Sequence, residues 1–417
     1  MKVAPNAILN AGGRADEVRC YPGTREEVIG KMEKWMDRED IRTSRMMWLS
    51  GPAGAGKSAI LQTVSERCQE RGRHVSNFFF FRGDGTRNHA QPLVATLVYQ
   101  LRTLYATLDK PLEDCLQAMP LICKASIGEQ FRKLISAPVH TVQGSSSICH
   151  PIILVVDGLD ECEDKQEQEQ ILGALHALVD KDNSPFLVLI ASRAEPHIVM
   201  TINKIASSVV SIFLDDEYRP QDDIRRFVTA KFDEIKGSHH LAHTLDKYWP
   251  SEFDIYRVVE KSSGQFIYAA IIMRFIQYSA ASPSLSLLTV HGIRPAANHS
   301  PYTQLDSLYS YILSNSHNIG AVKLCFGLHF IWKIAYDQDL EHALQFEYLY
   351  FASDLALYKQ MLQRWIRFAY RNNINDISIE DLVTGAIPLN NMRRDIHMYY
   401  HWYLLTEQVK HALTLYK

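Results

Sequence analysis

The sequence predicts a parallel α/β sheet covered by helices on both faces, followed by an all-helical region. Three observations carry that prediction. Short, continuous apolar runs alternate with helical segments between residues 46 and 214. A glycine loop, Gly51-Pro52-Ala53-Gly54-Ala55-Gly56-Lys57-Ser58, joins the first run to a helix. Beyond Pro220 every periodic segment is helical. Strands that are apolar throughout, rather than alternating, are buried on both faces, which requires helices on each side of the sheet.

Taken in order, residues 1–20 read as an irregular lead-in broken by Asn6, Asn10 and Gly12-Gly13. The stretch from Arg25 to Met36 places apolar residues at 28, 29, 32, 35 and 36, one face of a helix. Thr24 and Glu27 stand at capping-box spacing before it. Met46 to Leu49 reads as a strand leading into the glycine loop, with a helix from about Ser58 to Glu70. Val75 to Phe81, ending in four consecutive phenylalanines, reads as a second strand, and a helix follows from about Pro92 to Leu108.

Cys115 to His150 interrupts the alternation, with Gln143-Gly144-Ser145-Ser146-Ser147 as a solvent tip. Ile152 to Val156, Phe186 to Ala191 and Val209 to Leu214 complete five strands, and Glu167 to Val179 is an amphipathic helix between two of them. Helical periodicity then covers 220–236, 253–279, 305–315, 321–336 and 343–370. The expected domains are a lead-in at 1–20, a sheet-bearing core at 21–215, a helical subdomain at 216–280, a linker at 281–303 and a helical C-terminal region at 304–417. The linker assignment rests on Pro283, Pro295, Pro301 and their many serines.

Composition narrows the function classes. A chain of 417 residues with 47% hydrophobic content buries one large core or two ordinary ones. A net charge of −3 and 22% charged residues give no global attraction to nucleic acid or to an anionic membrane. The seven cysteines are scattered without a Cys-x-x-Cys pair, which indicates neither a zinc ribbon nor a disulfide framework. The strongest apolar run, Phe266 to Met273, is too short to span a bilayer and is followed by Arg274. Reduced thiols and a soluble, cytoplasmic protein are the expectation.

The loop at 51–58 fits G-x-x-x-x-G-K-[ST] in full. Glycines at 51, 54 and 56 let backbone N–H groups turn toward a phosphate without side-chain clash. Lys57 brings an ammonium to the β- and γ-phosphates of a nucleoside triphosphate, and Ser58 offers a hydroxyl to Mg²⁺. The helix that starts there aims its positive end at the same phosphates.

A second strand end supplies the acids. In Ile152-Ile153-Leu154-Val155-Val156-Asp157-Gly158-Leu159-Asp160-Glu161 a buried strand delivers carboxylates to the sheet's C-terminal edge, where ligands of open α/β sheets sit. Asp157 would hold Mg²⁺ through a water. Asp160 or Glu161 would orient or deprotonate an attacking water. The following run, Glu163 to Glu167, reads as a solvated helix start. A third strand ends in Ser192-Arg193, where Arg193 would sense the γ-phosphate or, alternatively, pair with Glu195.

Together these residues resemble the NACHT domain of the signal-transduction ATPases with numerous domains, above all fungal NACHT proteins whose core is also described as nephrocystin-3-like. The resemblance is carried by Tyr21-Pro22-Gly23-Thr24-Arg25-Glu26-Glu27, by Trp48 through Ser58, by Phe79-Phe80-Phe81-Arg82-Gly83-Asp84 and by Asp157-Gly158-Leu159-Asp160-Glu161. Ala191 through His197 and Ser263 through Ala269 extend it, so that it covers roughly residues 15–315. It implies a P-loop NTPase sheet of the ASCE type, with the Arg193 strand between the P-loop strand and the Asp157 strand. It also implies ATP and ADP as ligands, a helical subdomain after the sheet, and a nucleotide-gated change of assembly state through self-association or a protein partner. Gly264-Gln265-Phe266 stands where relatives place a Gly-x-Pro contact to the nucleotide, with Phe266 in place of the proline. Neither effector domain nor repeat array is legible around the match, and no winged-helix histidine is identifiable.

Two rival functions keep the same site: a small-molecule kinase or steady-turnover ATPase, and a module that holds nucleotide for stability without hydrolysing it. No acceptor-site or lid motif accompanies the first. His239, His240 and His243, without neighbouring cysteines, read as a polar helix face rather than a metal site. The aromatics between Phe326 and Phe351 read as helix packing rather than a base-stacking platform, since basic residues are not interleaved with most of them.

Overall fold

The computed structural model describes residues 2–12, 18–37, 44–143, 151–180 and 184–292. The chain divides into two compact units, Met1–Met273 and Arg274–Lys417. The first holds five strands: β1 (Met46–Ser50), β2 (Val75–Phe79), β3 (Ile152–Asp157), β4 (Phe186–Ser192) and β5 (Val209–Phe213). They form one sheet in the order β2-β3-β4-β1-β5, and every pairing is parallel. The strand that ends at Ser192 therefore lies between the glycine-loop strand and the Asp157 strand. This is the α/β P-loop NTPase fold.

Burial explains the apolar runs. Residues of β1, β2, β3 and β4 are buried along their whole length, and alternate side chains enter two separate cores. Met46, Trp48, Phe78, Leu154, Val156, Val188 and Ile190 face one; Met47, Leu49, Phe79, Ile153, Val155, Leu187 and Leu189 face the other. Each fully buried aliphatic or aromatic side chain stabilises the fold by about 1.5–3 kcal/mol.

The second core is closed by α1 (Glu26–Met36) and α2 (Lys57–Glu70), through Val28, Ile29, Met32, Ile60, Leu61 and Val64. The first is closed by α3 (Gln91–Leu104), by α4 (Asp109–Ala118), by α5 (Ile127–Gln130) and α6 (Ala137–Gln143) joined by a π-helical turn at Phe131–Ser136, by α7 (Lys165–Val179), and by α8 (Pro196–Lys204). The segment that interrupts the strand–helix alternation is thus itself helical and packs on the sheet; residues 144–150, most of its expected tip, lie outside the described residues.

Several local expectations are corrected. Thr24 does not cap α1: its hydroxyl donates to Tyr21 O, and the N-cap is Arg25, in the left-handed region at φ 60°. The second strand stops at Phe79, because Phe81 N bonds Arg87 O and turns the chain. The irregular lead-in, with one 3-10 turn at Pro5–Ala7, is fastened to the sheet domain. Ala4 N donates to Thr96 Oγ1 and Leu9 N to Asn77 Oδ1, with Ala4, Ala7 and Leu9 buried beside edge strand β2.

After the sheet come α9 (Pro220–Ser238), α10 (Glu252–Ser262) and α11 (Phe266–Tyr278). The expected single helix over 253–279 is two, because Ser263 and Gly264 take φ values of 48° and 78° and end α10. The three histidines are not on a helix face: His239 caps α9, His240 stacks on it, and His243 lies in a 3-10 turn. Among the described residues no group of three or more His, Cys, Asp or Glu is placed to hold a metal ion. In the second unit, α12 (Pro283–Gly292) occupies part of the stretch that reads as a linker. The periodic segments from 305 to 370 and their aromatics lie outside the described residues. No helix among the described residues is long and apolar enough to cross a membrane.

Candidate functional site

The site is built at the C-terminal edge of the sheet. β1 ends at Ser50, residues 51–56 make the loop, and α2 begins at Lys57. Gly54 and Gly56 have φ values of +75° and +92°, a region closed to most side chains. Gly54 is needed for a second reason, since a Cβ there would stand 2.4 Å from Ile267 Cγ2. At Gly51 a Cβ would meet Leu214 Cβ at 2.9 Å, so the loop's first residue is set by close approach of the chain leaving β5. Pro52, Ala53 and Ala55 complete the loop, with Ala55 buried and its N–H bonded to Pro52 O at 3.4 Å. The first turn of α2 leaves N–H groups without intrahelical partners, directed toward the loop.

Lys57 Nζ donates to Gly51 O at 2.8 Å and to Pro52 O at 2.9 Å, so the lysine folds over its own loop. Burial pulls its pKa below the ordinary lysine value. The carboxylates of Asp160, Asp157 and Glu161 oppose that pull, and Arg193 adds to it. Ser58 follows, half-buried in the first turn of α2.

Asp157, the last residue of β3, is 3% exposed. Gly158 then turns the chain at φ +66°, and a Cβ there would approach Phe80 O at 3.1 Å. Asp160 is 6% exposed and engaged twice by Arg193, whose N–H donates to Oδ1 at 2.9 Å and whose Nε lies 3.2 Å from Oδ2. Arg193 therefore pairs with Asp160. Glu161 accepts from Arg82 N at 3.0 Å, and burial pushes its pKa above the ordinary glutamate value despite that bond. The two neighbouring acids are thus in different states of engagement. Glu163 and Glu167, read from sequence as part of a solvated helix start, also hold the loop after β2: Asn88 Nδ2 donates to Glu163 Oε1 at 2.6 Å and Ala90 N to Glu167 Oε2 at 3.0 Å.

Three contributors carry no role in the sequence reading. Arg25, 4% exposed, donates from Nη2 to Ala55 O at 3.0 Å, lies 4.9 Å from the Phe266 ring, and gives its backbone N–H to Asp223 Oδ2 at 3.0 Å. Burial lowers its pKa and the Asp223 carboxylate partly restores it. Ile267 N donates to Gly54 O at 3.4 Å, so the segment at 264–267 touches the glycine loop through its backbone. Arg82 links the end of β2 to both Asp160 and Glu161. The stretches Tyr21–Glu27, Phe79–Asp84 and Ser263–Ala269 were legible as family motifs; an arginine just past a buried strand was the one further signal for Arg82.

Residues 23–193 match the family described as "Nephrocystin 3, N-terminal". No curated protein matches the chain. Among solved structures, a Walker-type ATPase of Pyrococcus abyssi is similar over 66% of this chain and 75% of that one, at 16% identity and a TM-score of 0.42. The HORMA:CdnC:Trip13 complex of E. coli MS115-1 covers 65% of this chain and 86% of its own at 11% identity and a TM-score of 0.33. The FIGL-1 AAA domain covers 68% and 82% at 12% identity and a TM-score of 0.32. The strand order, the glycine loop after β1 and the family match at 23–193 agree on an α/β P-loop NTPase core.

Proposed function

We propose that this protein binds ATP with Mg²⁺ at the 51–58 loop, hydrolyses it slowly, and uses the difference between ATP and ADP states to control assembly or partner binding, as a NACHT-type switch. The observation that carries the reading is that β1, β4 and β3 lie side by side and parallel, so that the glycine loop with Lys57, the Ser192-Arg193 end and the Asp157–Glu161 turn share one sheet edge, with Arg193 bonded to Asp160. A phosphate chain fits this donor set: glycine backbone at positive φ, open space beside Gly56, a helix N-terminus and a lysine. Ser58 and Asp157 offer the hard oxygen donors that Mg²⁺ requires, and the ion when bound would offset phosphate charge.

In this reading the backbone N–H groups of Gly54, Gly56 and Lys57 hold the β-phosphate, and the Lys57 ammonium leaves the carbonyls of Gly51 and Pro52 to bridge the β- and γ-phosphates. Glu161 is the better base of the two acids: its partner is a neutral amide rather than a guanidinium, and burial makes its carboxylate more basic than an ordinary glutamate. It takes a proton from water as the water oxygen bonds to the γ-phosphorus and the bond to the bridging oxygen of ADP breaks. Asp160, already paired with Arg193, is instead the residue that a γ-phosphate would compete with for the guanidinium. That exchange gives the ATP state an interaction absent from the ADP state, which is the condition for any ligand-driven switch. The contacts of Gly54 with Ile267, and of Arg25 with Ala55, Phe266 and Asp223, connect the loop to the helices after the sheet.

The test is to quantify nucleotide co-purifying with the protein, titrate ADP and a non-hydrolysable ATP analogue with Mg²⁺, and run both complexes by size exclusion. Tight binding lost in Lys57→Ala, slow turnover, and a nucleotide-dependent elution volume are expected. Affinity unchanged by Lys57→Ala would sink the site, and rapid unstimulated turnover would sink the switch.

A further inference from the structure

We infer that Arg82 is a positioning residue for hydrolysis, holding Glu161 in register from the end of β2 without neutralising it; this rests on Glu161 being the base. Two bonds carry the inference. Arg82 N donates to Glu161 Oε2 at 3.0 Å, and Arg82 Nη2 donates to Asp160 O at 2.8 Å. The guanidinium is thus directed at the peptide carbonyl between the two acids, while the carboxylate receives only an amide. A guanidinium paired directly with Glu161 would favour its charged form strongly and weaken it as a base; one amide hydrogen bond orients it at smaller cost in basicity.

The segment bearing Arg82 is itself held by hydrogen bonds on both sides. Phe80 N donates to Asp157 O at 2.9 Å, and Gly158 passes close to Phe80 O. Thr86 N and Oγ1 both donate to Asp84 Oδ1, at 3.0 and 2.7 Å. Arg87, with a side chain 2% exposed, ties Asp84 Oδ2 to Phe79 O. Asn88 exchanges bonds with Glu163, its Nδ2 donating to Oε1 and its carbonyl accepting from Glu163 N at 2.8 Å. The loop after β2 and the acidic turn after β3 therefore form one frame. Arg82 is the member of it that reaches Glu161. The other charged groups acting on that carboxylate are Asp160, Arg193 and Lys57.

The experiment compares Arg82→Ala, Arg82→Lys, Glu161→Gln and Arg82→Ala with Glu161→Gln in the full chain, measuring MgADP affinity and MgATP turnover against pH. Arg82→Ala keeps the backbone N–H and removes the guanidinium's bond to Asp160 O, which holds the amide and the acidic turn in register. It should lower kcat by about tenfold to a hundredfold, the range expected of a mispositioned catalytic group, with MgADP affinity within about twofold. Its acidic limb should move to higher pH, because a positive charge near Glu161 is gone. Arg82→Lys should restore most of the rate, and adding Arg82→Ala to Glu161→Gln should cost nothing more.

An unmoved acidic limb, or an equal loss in the Glu161→Gln background, would overturn the role of Arg82 while leaving Glu161 as base. Wild-type turnover by Glu161→Gln would overturn the base assignment and this proposal with it. A readout independent of turnover is amide hydrogen exchange at Arg82, expected to quicken at least about tenfold in Glu161→Ala, since a hydrogen-bonded amide loses its acceptor. Unchanged exchange would overturn the geometry.

Discussion

Arg193 holds Asp160 through two groups at once, its backbone N–H at 2.9 Å and its Nε at 3.2 Å, at the junction of two neighbouring strands. The carboxylate is 6% exposed and the arginine side chain 48% exposed. Because solvent screens the arginine, Arg193→Ala should cost only about 1 kcal/mol in denaturant unfolding without nucleotide. Its larger effect should fall on discrimination, bringing ADP and ATP-analogue affinities closer together by titration. A variant that keeps the wild-type ratio would show that Arg193 does not sense the γ-phosphate.

Glu161 gives a pH signature in stability. Its carboxyl is raised by burial above the ordinary glutamate value of 4.5, so the folded protein binds an extra proton between the unfolded and folded pKa values. Stability is therefore lost as pH rises through that window, and the loss persists above it. Glu161→Gln, which keeps an oxygen for Arg82 N, should melt at a higher temperature than wild type at neutral pH. The two should converge below about pH 4, where the glutamate is protonated in both states. Thermal unfolding at several pH values checks this, and a pH-independent difference would contradict it.

Gly54→Ala should destabilise the protein by about 2 kcal/mol or more, since it forces φ +75° on an alanine and drives a Cβ to 2.4 Å from Ile267 Cγ2. The steric part has a specific remedy. Adding Ile267→Ala should recover part of the loss relative to the sum of the two single changes, by about 1 kcal/mol of coupling. Strict additivity in denaturant titrations would mean that the contact between loop and α11 carries no energy.

Arg87 tests the frame under the acids. Its buried guanidinium reaches Asp84 at 3.0 Å, Phe79 O at 3.1 Å and the Phe81 ring at 4.9 Å. Arg87→Ala leaves that carboxylate and carbonyl without their charged donor and should cost about 3 kcal/mol by chemical denaturation. Turnover should fall as well, because the segment carrying Arg82 loses its anchor. Full stability in the variant would refute the frame.

The sequence determined the sheet and named the residues of the candidate site. Apolar runs such as Ile152 to Val156 admit few readings other than strands buried on both faces, and the loop at 51–58 carries the G-x-x-x-x-G-K-[ST] pattern of the proposed phosphate site in its residue types, because both are local properties of consecutive residues. Helix boundaries were less legible. Arg25 displaced Thr24 at the start of α1 because its buried side chain bonds Ala55 and its backbone bonds Asp223, partners about 30 and 200 residues away. Ser263 and Gly264 broke a continuous helical pattern where the chain packs Ile267 against the glycine loop.

The tertiary structure decided how the site's charges are shared. Asp160 and Glu161 are adjacent and chemically alike, so no local pattern distinguishes them. Their difference comes from which neighbouring strand end reaches each: β4 brings the Arg193 guanidinium to one carboxylate, and β2 brings the Arg82 amide to the other. Hydrogen bonds across 33 and 79 residues of sequence depend on strand order and register, and those are fixed only when the whole sheet packs.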